Sequence, residues 1–467
     1  MPKKKTDKKT TKTKKNKKSD SSEITASDVR ISSKKTPTLL RGMKDILPKD
    51  EFYWKKMRKT ADSITEAYRY SYLETPILED ASLFIRSVGR GTDIVDKEMY
   101  IFEDKDGGKV GLRPEATASV ARSFIGHGMH TLPQPIKIWY WGPMFRHDRP
   151  QAGRYREFHQ FGCENFGLKD PVVDSELISV AYNFLKDLGL DSTVNINSIG
   201  SLEDRQNYLV ELVGYLRSKR SYLCDDCKAR INKNPLRVLD CKQEDCQEVV
   251  NEAPQIIDWL SDDSKNHFMK VLEYLDELEI PYILNSKLVR GLDYYTETVF
   301  ELIDDYEEKD EEGKVKKNQT VLAGGGRYDY LVDELGGPDT PACGFAVGLE
   351  RVANSLKRKV DVGEIKKEEQ DPKIFFAQLG VQARMKALSI VEKLRKEKII
   401  VGHNLAKPSL KSQLDLANKA GAAYTLILGQ KEVQDDTVII RDMESGIQEI
   451  VDQNKLVKEI EKKLKKL

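Results

Sequence analysis

The stretch "FRHDRPQAGRYREFHQFG", Phe145 to Gly162, decides the fold. It joins "KIWYWGPMFRH" to "REFHQFGCENFG", two aromatic-rich segments with the composition of strands. Between them "RHDRPQAGRY" is polar and contains Gly and Pro, so the pair reads as an antiparallel hairpin with a long tip. Such a hairpin leaves Arg146 at the end of one strand and returns Gln160 and Glu164 beside it on the other.

Strand-like segments recur later. "RGLDYYTETVFELI", "QTVLAGGGRYDYLVDEL" and "CGFAVGLERVANSLKRK" read as a strand, a strand leading to a helix, and a further strand leading to a helix. Upstream, a helix is expected from about Pro48, whose proline suits a first helical turn. Charged amphipathic helices over 201–285 interrupt the strand-rich pattern and read as a helical insertion. A charged linker over 363–372 follows, and strands then alternate with helices over 373–467, the pattern of a small α/β domain with a largely parallel sheet. The expected fold is an α+β domain on a mainly antiparallel sheet flanked by helices, carried by 37–200 and 286–362, with the insertion and the C-terminal α/β domain attached.

A chain of 467 residues exceeds one ordinary core. Its formal charge of +1 hides an asymmetry: the first 18 residues hold ten lysines and one acid, leaving about −8 on the rest. With almost no apolar residues, residues 1–36 read as a disordered lysine-rich tail that would attract a polyanion, or as a solvated arm with no specific role. The tail lacks the apolar core of a secretory signal, and no apolar run is long enough to span a membrane. Six unevenly spaced cysteines suit a reducing compartment, and a cytoplasmic location is expected.

Neither G-x-x-x-x-G-K-[ST] nor a strand-borne G-x-G-x-x-G occurs, which argues against P-loop and Rossmann nucleotide sites. Arginines carry the chemistry instead. Arg146 closes a strand, and in "GFAVGLER" glycines lead through a strand to Arg351 at the start of a helix. Glycine permits close approach of backbone and ligand, while arginine offers fixed paired donors suited to phosphate oxygens.

In this order, "FRHDRP" with its return strand and "GFAVGLER" resemble motifs 2 and 3 of class II aminoacyl-tRNA synthetases. "YSYLETPILEDASLF" resembles the dimerising motif 1. "LRPEATA", "RGLDYYT" and "AGGGRYD" narrow the resemblance to the histidyl-tRNA synthetase family, from about Leu39 to the C-terminus. The resemblance implies a class II catalytic domain, an anticodon-binding C-terminal domain, a homodimer, and ATP with Mg²⁺, L-histidine and tRNA(His) as ligands. It implies histidyl-adenylate formation with release of pyrophosphate, then transfer of histidine to the tRNA 3′ end.

Carried onto this sequence, the resemblance implies that Arg146 grips the α-phosphate and the histidine carboxylate region. Arg290 contacts the α-phosphate, and Arg351 holds the γ-phosphate. Glu115 holds the substrate amino group, with Thr117 and Gln160 assisting, and an indirect Mg²⁺ role for it is also open. Glu164 and Tyr295 are implied partners of the two imidazole nitrogens, with Tyr294 lining the pocket; neutral imidazole has one donor and one acceptor to satisfy. Tyr328 packs near this pocket, and the glycines before Arg327, Tyr328 and Asp329 are read as backbone that approaches substrate. Two tyrosines in one pocket require the chain to bend between Gly291 and Tyr295, not to run as a regular strand from Arg290.

Within the insertion, Cys224, Cys227, Cys241 and Cys246 are spaced C-x2-C-x13-C-x4-C, close to zinc-ribbon spacing. A structural zinc and four free thiols both remain open. Cys163 and Cys343 read as small packing residues. Two other functions compete: a non-catalytic paralogue such as the histidine-sensing regulatory subunit of ATP phosphoribosyltransferase, and a synthetase-like nucleic-acid-binding scaffold. The retained arginines and the C-terminal domain argue against both.

Overall fold

The computed structural model describes residues 36–89, 92–150, 153–309, 315–367, 372–407 and 409–466. All but the last residue of the lysine-rich tail, the hairpin tip at 151–152 and residues 368–371 of the linker lie outside the described residues. The chain divides into two compact units, one ending at Leu356 and one beginning at Lys357.

The strands of the first unit are β1 (Ser71–Tyr72), β2 (Leu78–Asp80), β3 (Ile101–Glu103), β4 (Lys109–Leu112), β5 (Ile136–Phe145), β6 (Glu157–Phe166), β7 (Thr193–Ser198), β8 (Tyr282–Leu284), β9 (Thr296–Lys309), β10 (Val315–Arg327) and β11 (Ala342–Gly348). Eight of them form one sheet in the order β1-β5-β6-β11-β10-β9-β7-β8. The hairpin read from sequence is β5–β6, in antiparallel register from Ile136↔Phe166 to Phe145↔Glu157. The sheet is antiparallel from β5 to β7, and the edge pairs β1–β5 and β7–β8 are parallel.

Helices of this unit are α1 (Glu51–Ala67), α2 (Ala81–Ser87), α3 (Thr117–Gly126), α4 (Pro171–Asp187), α5 (Leu202–Ser218), α6 (Asp225–Lys233), α7 (Glu244–Asn251), α8 (Asp262–Glu277), α9 (Leu331–Glu334) and α10 (Leu349–Asp361), the last running across the boundary between the units. Strand alternation divides the sheet's duties between its faces. On one face Phe161 packs on Phe184 of α4 at 4.7 Å between ring centroids and edge-on against Phe345 at 5.7 Å. Trp54 of α1 meets Trp141 edge-on on the same side, at 6.4 Å. The opposite face carries Tyr140, Gln160, Gly162, Glu164, Gly344, Ala346 and Gly348, paired across β5, β6 and β11. Small residues there leave room for a cavity.

The helical run expected over 201–285 divides. Helices α5 to α7 form a module around Tyr208, Leu212, Ile231, Val238 and Val249, all buried. Helix α8 instead lies along α4, with Ser175 Oγ donating to Val271 O at 3.4 Å, and β8 pairs with β7. The end of that range therefore extends the large sheet and its helical layer.

The second unit holds β12 (Ile374–Gln378), β13 (Val401–His403), β14 (Tyr424–Leu428), β15 (Thr437–Asp442) and β16 (Gln448–Asp452), with α11 (Val381–Lys396), α12 (Leu410–Lys419), α13 (Gln430–Gln434) and α14 (Leu456–Leu464). Its sheet runs β13-β12-β14-β15-β16. Helices connect the three parallel strands, whereas β14–β15 and β15–β16 are antiparallel, so the sheet is mixed where a largely parallel one was expected. Asp442 accepts the N–H groups of Glu444 and Ser445, at 3.1 and 2.8 Å, and closes the β15–β16 turn. Among the described residues no helix is long and apolar enough to cross a membrane.

Candidate active site

Arg146 leaves β5 at its C-terminal end, and its Nε donates to Pro114 O at 2.8 Å while the guanidinium lies 5.3 Å from the Phe158 ring centre. Arg351 sits in the first turn of α10; its Nη1 donates to Val321 O at 2.8 Å and its Nε to Gly153 O at 3.4 Å. Arg290 precedes β9 and forms an ion pair with Glu301 on that strand. All three line one cavity of about 580 Å³, with Glu115, Thr117, Gln160, Tyr294 and Tyr295. Burial lowers the pKa of Arg146 and Arg351, whereas Glu301 holds that of Arg290 up against its own burial. All remain cationic, because a guanidinium starts far above neutrality.

The chain bends where two tyrosines in one pocket required it. Strand β9 begins only at Thr296, a turn occupies Asp293 and Tyr294, and the two rings lie 4.8 Å apart between centroids. Glu297 takes a left-handed φ of 47°, and the β9–β10 register shifts between Gly326 and Arg327. This bulge sets the tyrosines off from the regular alternation of the strand.

Glu115 anchors the start of α3: its carboxylate accepts from Thr117 N at 2.8 Å and Ala118 N at 2.9 Å, and the Tyr294 hydroxyl lies 3.4 Å away. Burial raises its pKa against those bonds. Glu164 departs from the expected arrangement. It does not line the cavity but lies fully buried behind it, accepting from Thr117 Oγ1 at 2.7 Å and from the Tyr328 hydroxyl. Burial pushes its pKa up to about 8 although both hydroxyls oppose the rise. Burial also lifts Tyr294, Tyr295 and Tyr328, so these phenols stay protonated donors.

The glycines make room for the protein's own side chains at the cavity wall. A β-carbon on Gly324 would stand 2.4 Å from Arg290 Nη1, and one on Gly344 only 1.5 Å from Glu164 Oε2. Gly325 faces the Gly344 carbonyl, 2.2 Å from that position, on the helix side of the sheet. Arg327 is fully buried, clamped to Asp174 of α4 and to Asp329 at 3.0 Å. Gly324 lines the cavity, as does Gly344 across the sheet, whereas Arg327 does not: it fastens α4 beneath the sheet, and Tyr328 meets the site through Glu164.

Several cavity-facing groups were not singled out from sequence. Glu301 required knowing the bend at Gly291; Tyr140 and Phe158 looked like ordinary strand aromatics. Arg230, Arg237, Asp240 and Lys242 come from the helical module, where charged residues read as a solvated face. Among the described residues, three polar atoms of cavity-lining side chains are buried without a hydrogen-bond partner: Tyr140 Oη, Gln160 Oε1 and Arg290 Nε. Buried polar groups are normally paired, so these three mark positions for a polar ligand.

The profile of the family Histidyl-tRNA synthetase matches residues 42–352, and that of Anticodon binding domain matches residues 373–463. The histidine–tRNA ligase of Dehalococcoides mccartyi is 43% identical over 91% of this chain and 99% of its own. That of Aquifex aeolicus is 45% identical over 88% of this chain and 97% of its own. Among solved structures, apo histidyl-tRNA synthetase of Staphylococcus aureus superposes with a TM-score of 0.74 at 34% identity, covering 91% of this chain and 99% of that one. Three arginines, the bent tyrosine pair and the buried Glu115 therefore sit on a matched framework: the chain belongs to the histidyl-tRNA synthetase family.

Proposed function

We infer that the protein is a histidine–tRNA ligase. The observation that carries the reading is the convergence of Arg146, Arg290 and Arg351 with Glu115 and the Tyr294–Tyr295 pair on one cavity. In the first step a histidine carboxylate oxygen attacks the α-phosphorus of ATP and pyrophosphate leaves. In the second a ribose hydroxyl of the terminal tRNA adenosine attacks the histidyl carbonyl and AMP leaves. Both nucleophiles belong to substrates, so the protein's task is to position them and to stabilise charge at phosphorus.

Arg146 and Arg290 are assigned to the α-phosphate and Arg351 to the γ-phosphate. Glu115, with Thr117 and Gln160, receives the substrate ammonium. Tyr294 and Tyr295 bound the imidazole, with Tyr295 donating to one nitrogen. Glu164 lies behind Thr117 at the end of that pocket, so its contact with the other nitrogen is proposed to form beside the Thr117 hydroxyl. Mg²⁺ enters with ATP. A hard cation takes oxygen ligands, and Glu301 supplies a carboxylate on the cavity wall beside Arg290, whereas Glu115 is engaged by two N–H groups. When bound, the ion neutralises phosphate charge.

The same proposal gives tRNA(His) to the C-terminal unit, a structural zinc to Cys224, Cys227, Cys241 and Cys246, and a cytoplasmic location consistent with six free cysteines. It also makes the protein a homodimer, supported by exposed apolar side chains on the β2–β3–β4 sheet: Leu78, Ile101 and Phe102 are 47%, 42% and 46% exposed. Histidine-dependent ATP–pyrophosphate exchange tests the central reading. Folded protein supplied with Mg²⁺ that shows no such exchange would overturn it.

A further inference from the structure

Four thiols of the helical module take no part in the reaction. Cys224 precedes α6, Cys227 lies in its first turn, Cys241 follows the short turn Pro235–Val238, and Cys246 lies on α7. All four sulfurs lie within 4.8 Å of one another, Cys224 and Cys241 at 4.0 Å, and none is in a disulfide. Tetrahedral thiolates at about 2.3 Å from a zinc ion stand about 3.8 Å apart, so the cluster is already close to that cage. The Cys224 N–H also donates to Cys246 Sγ at 3.2 Å, a bond that supports a thiolate.

The chain between the second and third thiols runs along the catalytic cavity. Arg230 pairs with Asp93 at 3.0 Å, and Asn234 Nδ2 donates to Asp293 Oδ1 at 2.8 Å, at the bend before the two tyrosines. Arg237 lies over Gly291, 3.4 Å from where a β-carbon would stand, and pairs with Asp240 at 3.2 Å. Asp240 and Lys242 flank Cys241 directly, and their side chains are 3.0 Å apart. A second hollow of about 430 Å³ joins Cys224 and Cys241 to Arg154, Arg230, Arg237 and Lys242, all four of which also line the main cavity. One peptide unit thus separates Cys241 from Lys242, a cation on the rim of the catalytic cavity.

Resting on the zinc reading above, we propose that an ion held by Cys224, Cys227, Cys241 and Cys246 sets the position of Arg237 and Lys242 in the cavity, where they bind the polyphosphate of ATP. The thiols release protons to solvent as the metal binds, and the ion ties both ends of the Arg230–Lys242 wall to α6 and α7. Without it, nothing covalent or coordinate holds Cys241 to the start of α6, and the wall is free to withdraw from the phosphates.

Full-length protein purified without added zinc is expected to carry about one zinc per chain, and cobalt exchange to give the intense absorption of a tetrahedral tetrathiolate. Chelation is expected to raise KM for ATP in the exchange reaction about tenfold while KM for histidine moves less than about twofold. Arg237→Ala and Lys242→Ala should reproduce that shift with the metal retained. A chain with little zinc and no cobalt spectrum, an unchanged KM for ATP after chelation, or a defect confined to tRNA transfer each overturns the proposal. The cobalt spectrum requires no folding of a cysteine variant and no turnover, so failure of the metal site is distinguishable from failure of the ligase reading.

Discussion

The guanidinium of Arg290 occupies the space that a β-carbon on Gly324 would need, with Nη1 2.4 Å from that position. Gly324→Ala should therefore act as a mutation of Arg290, pushing it from its seat beside Glu301 on the cavity wall. Adenylate formation is expected to fall about 10²-fold, comparable to loss of one charge-stabilising donor, and Arg290→His to fall at least as far. Pyrophosphate exchange with circular dichroism as the fold control checks both; near-normal exchange in either variant removes the role assigned to Arg290.

Glu164 gives a pH signature. Its folded pKa of about 8 lies above the ordinary 4.5, so the native state binds more protons than the unfolded chain between those values. The stability this group contributes is full below about pH 4.5, is lost as pH rises toward 8, and is level above that. The slope from one proton is at most about 1.4 kcal/mol per pH unit. Denaturant titrations of Glu164→Gln from pH 5.5 to 9 should show a shallower decline than wild type, and an identical decline would assign the effect to other groups.

Arg327 and Asp174 form a fully buried pair tying β10 to α4. Removing one partner leaves an uncompensated buried charge, so Arg327→Leu should destabilise the N-terminal unit by about 3–5 kcal/mol. Differential scanning calorimetry should resolve this as a lowered first transition, with the transition of the C-terminal unit unmoved. A small shift would mean that the site face tolerates loss of its fastening.

For the dimer, Phe102→Glu places a charge on an exposed apolar patch where a monomer has no need of apolar surface. Sedimentation velocity should show wild type at twice the chain mass and the variant displaced toward one. Equal sedimentation would move the interface elsewhere.

The hairpin and the three cavity arginines were legible because strand aromatics, a polar tip and arginines at element boundaries are local patterns. The bend at Gly291 was legible for a different reason: two tyrosines cannot share a pocket from a straight strand. Arg327 was not, because a buried structural arginine and a ligand-binding one look alike until Asp174 is seen opposite it. Arg237 and Lys242 were hidden for the converse reason, since charge on an amphipathic helical segment ordinarily faces solvent. Likewise the C-terminal sheet is mixed because β15 and β16 run antiparallel to their neighbours, and the Asp442 turn that closes their hairpin is not announced by strand–helix alternation.

Adjacent strands β6 and β11 pair Glu164 with Gly344, residues 180 positions apart in the chain. A ribosome must therefore make about three quarters of the protein before the floor of the cavity can close, and Arg351 emerges only after that. Until then the aromatic hairpin β5–β6 has one unpaired edge along β6, an invitation to wrong partners in a crowded cell. The long separation across β6 and β11 keeps that edge open through much of synthesis, and refolding from denaturant is expected to be slow compared with that of the C-terminal unit.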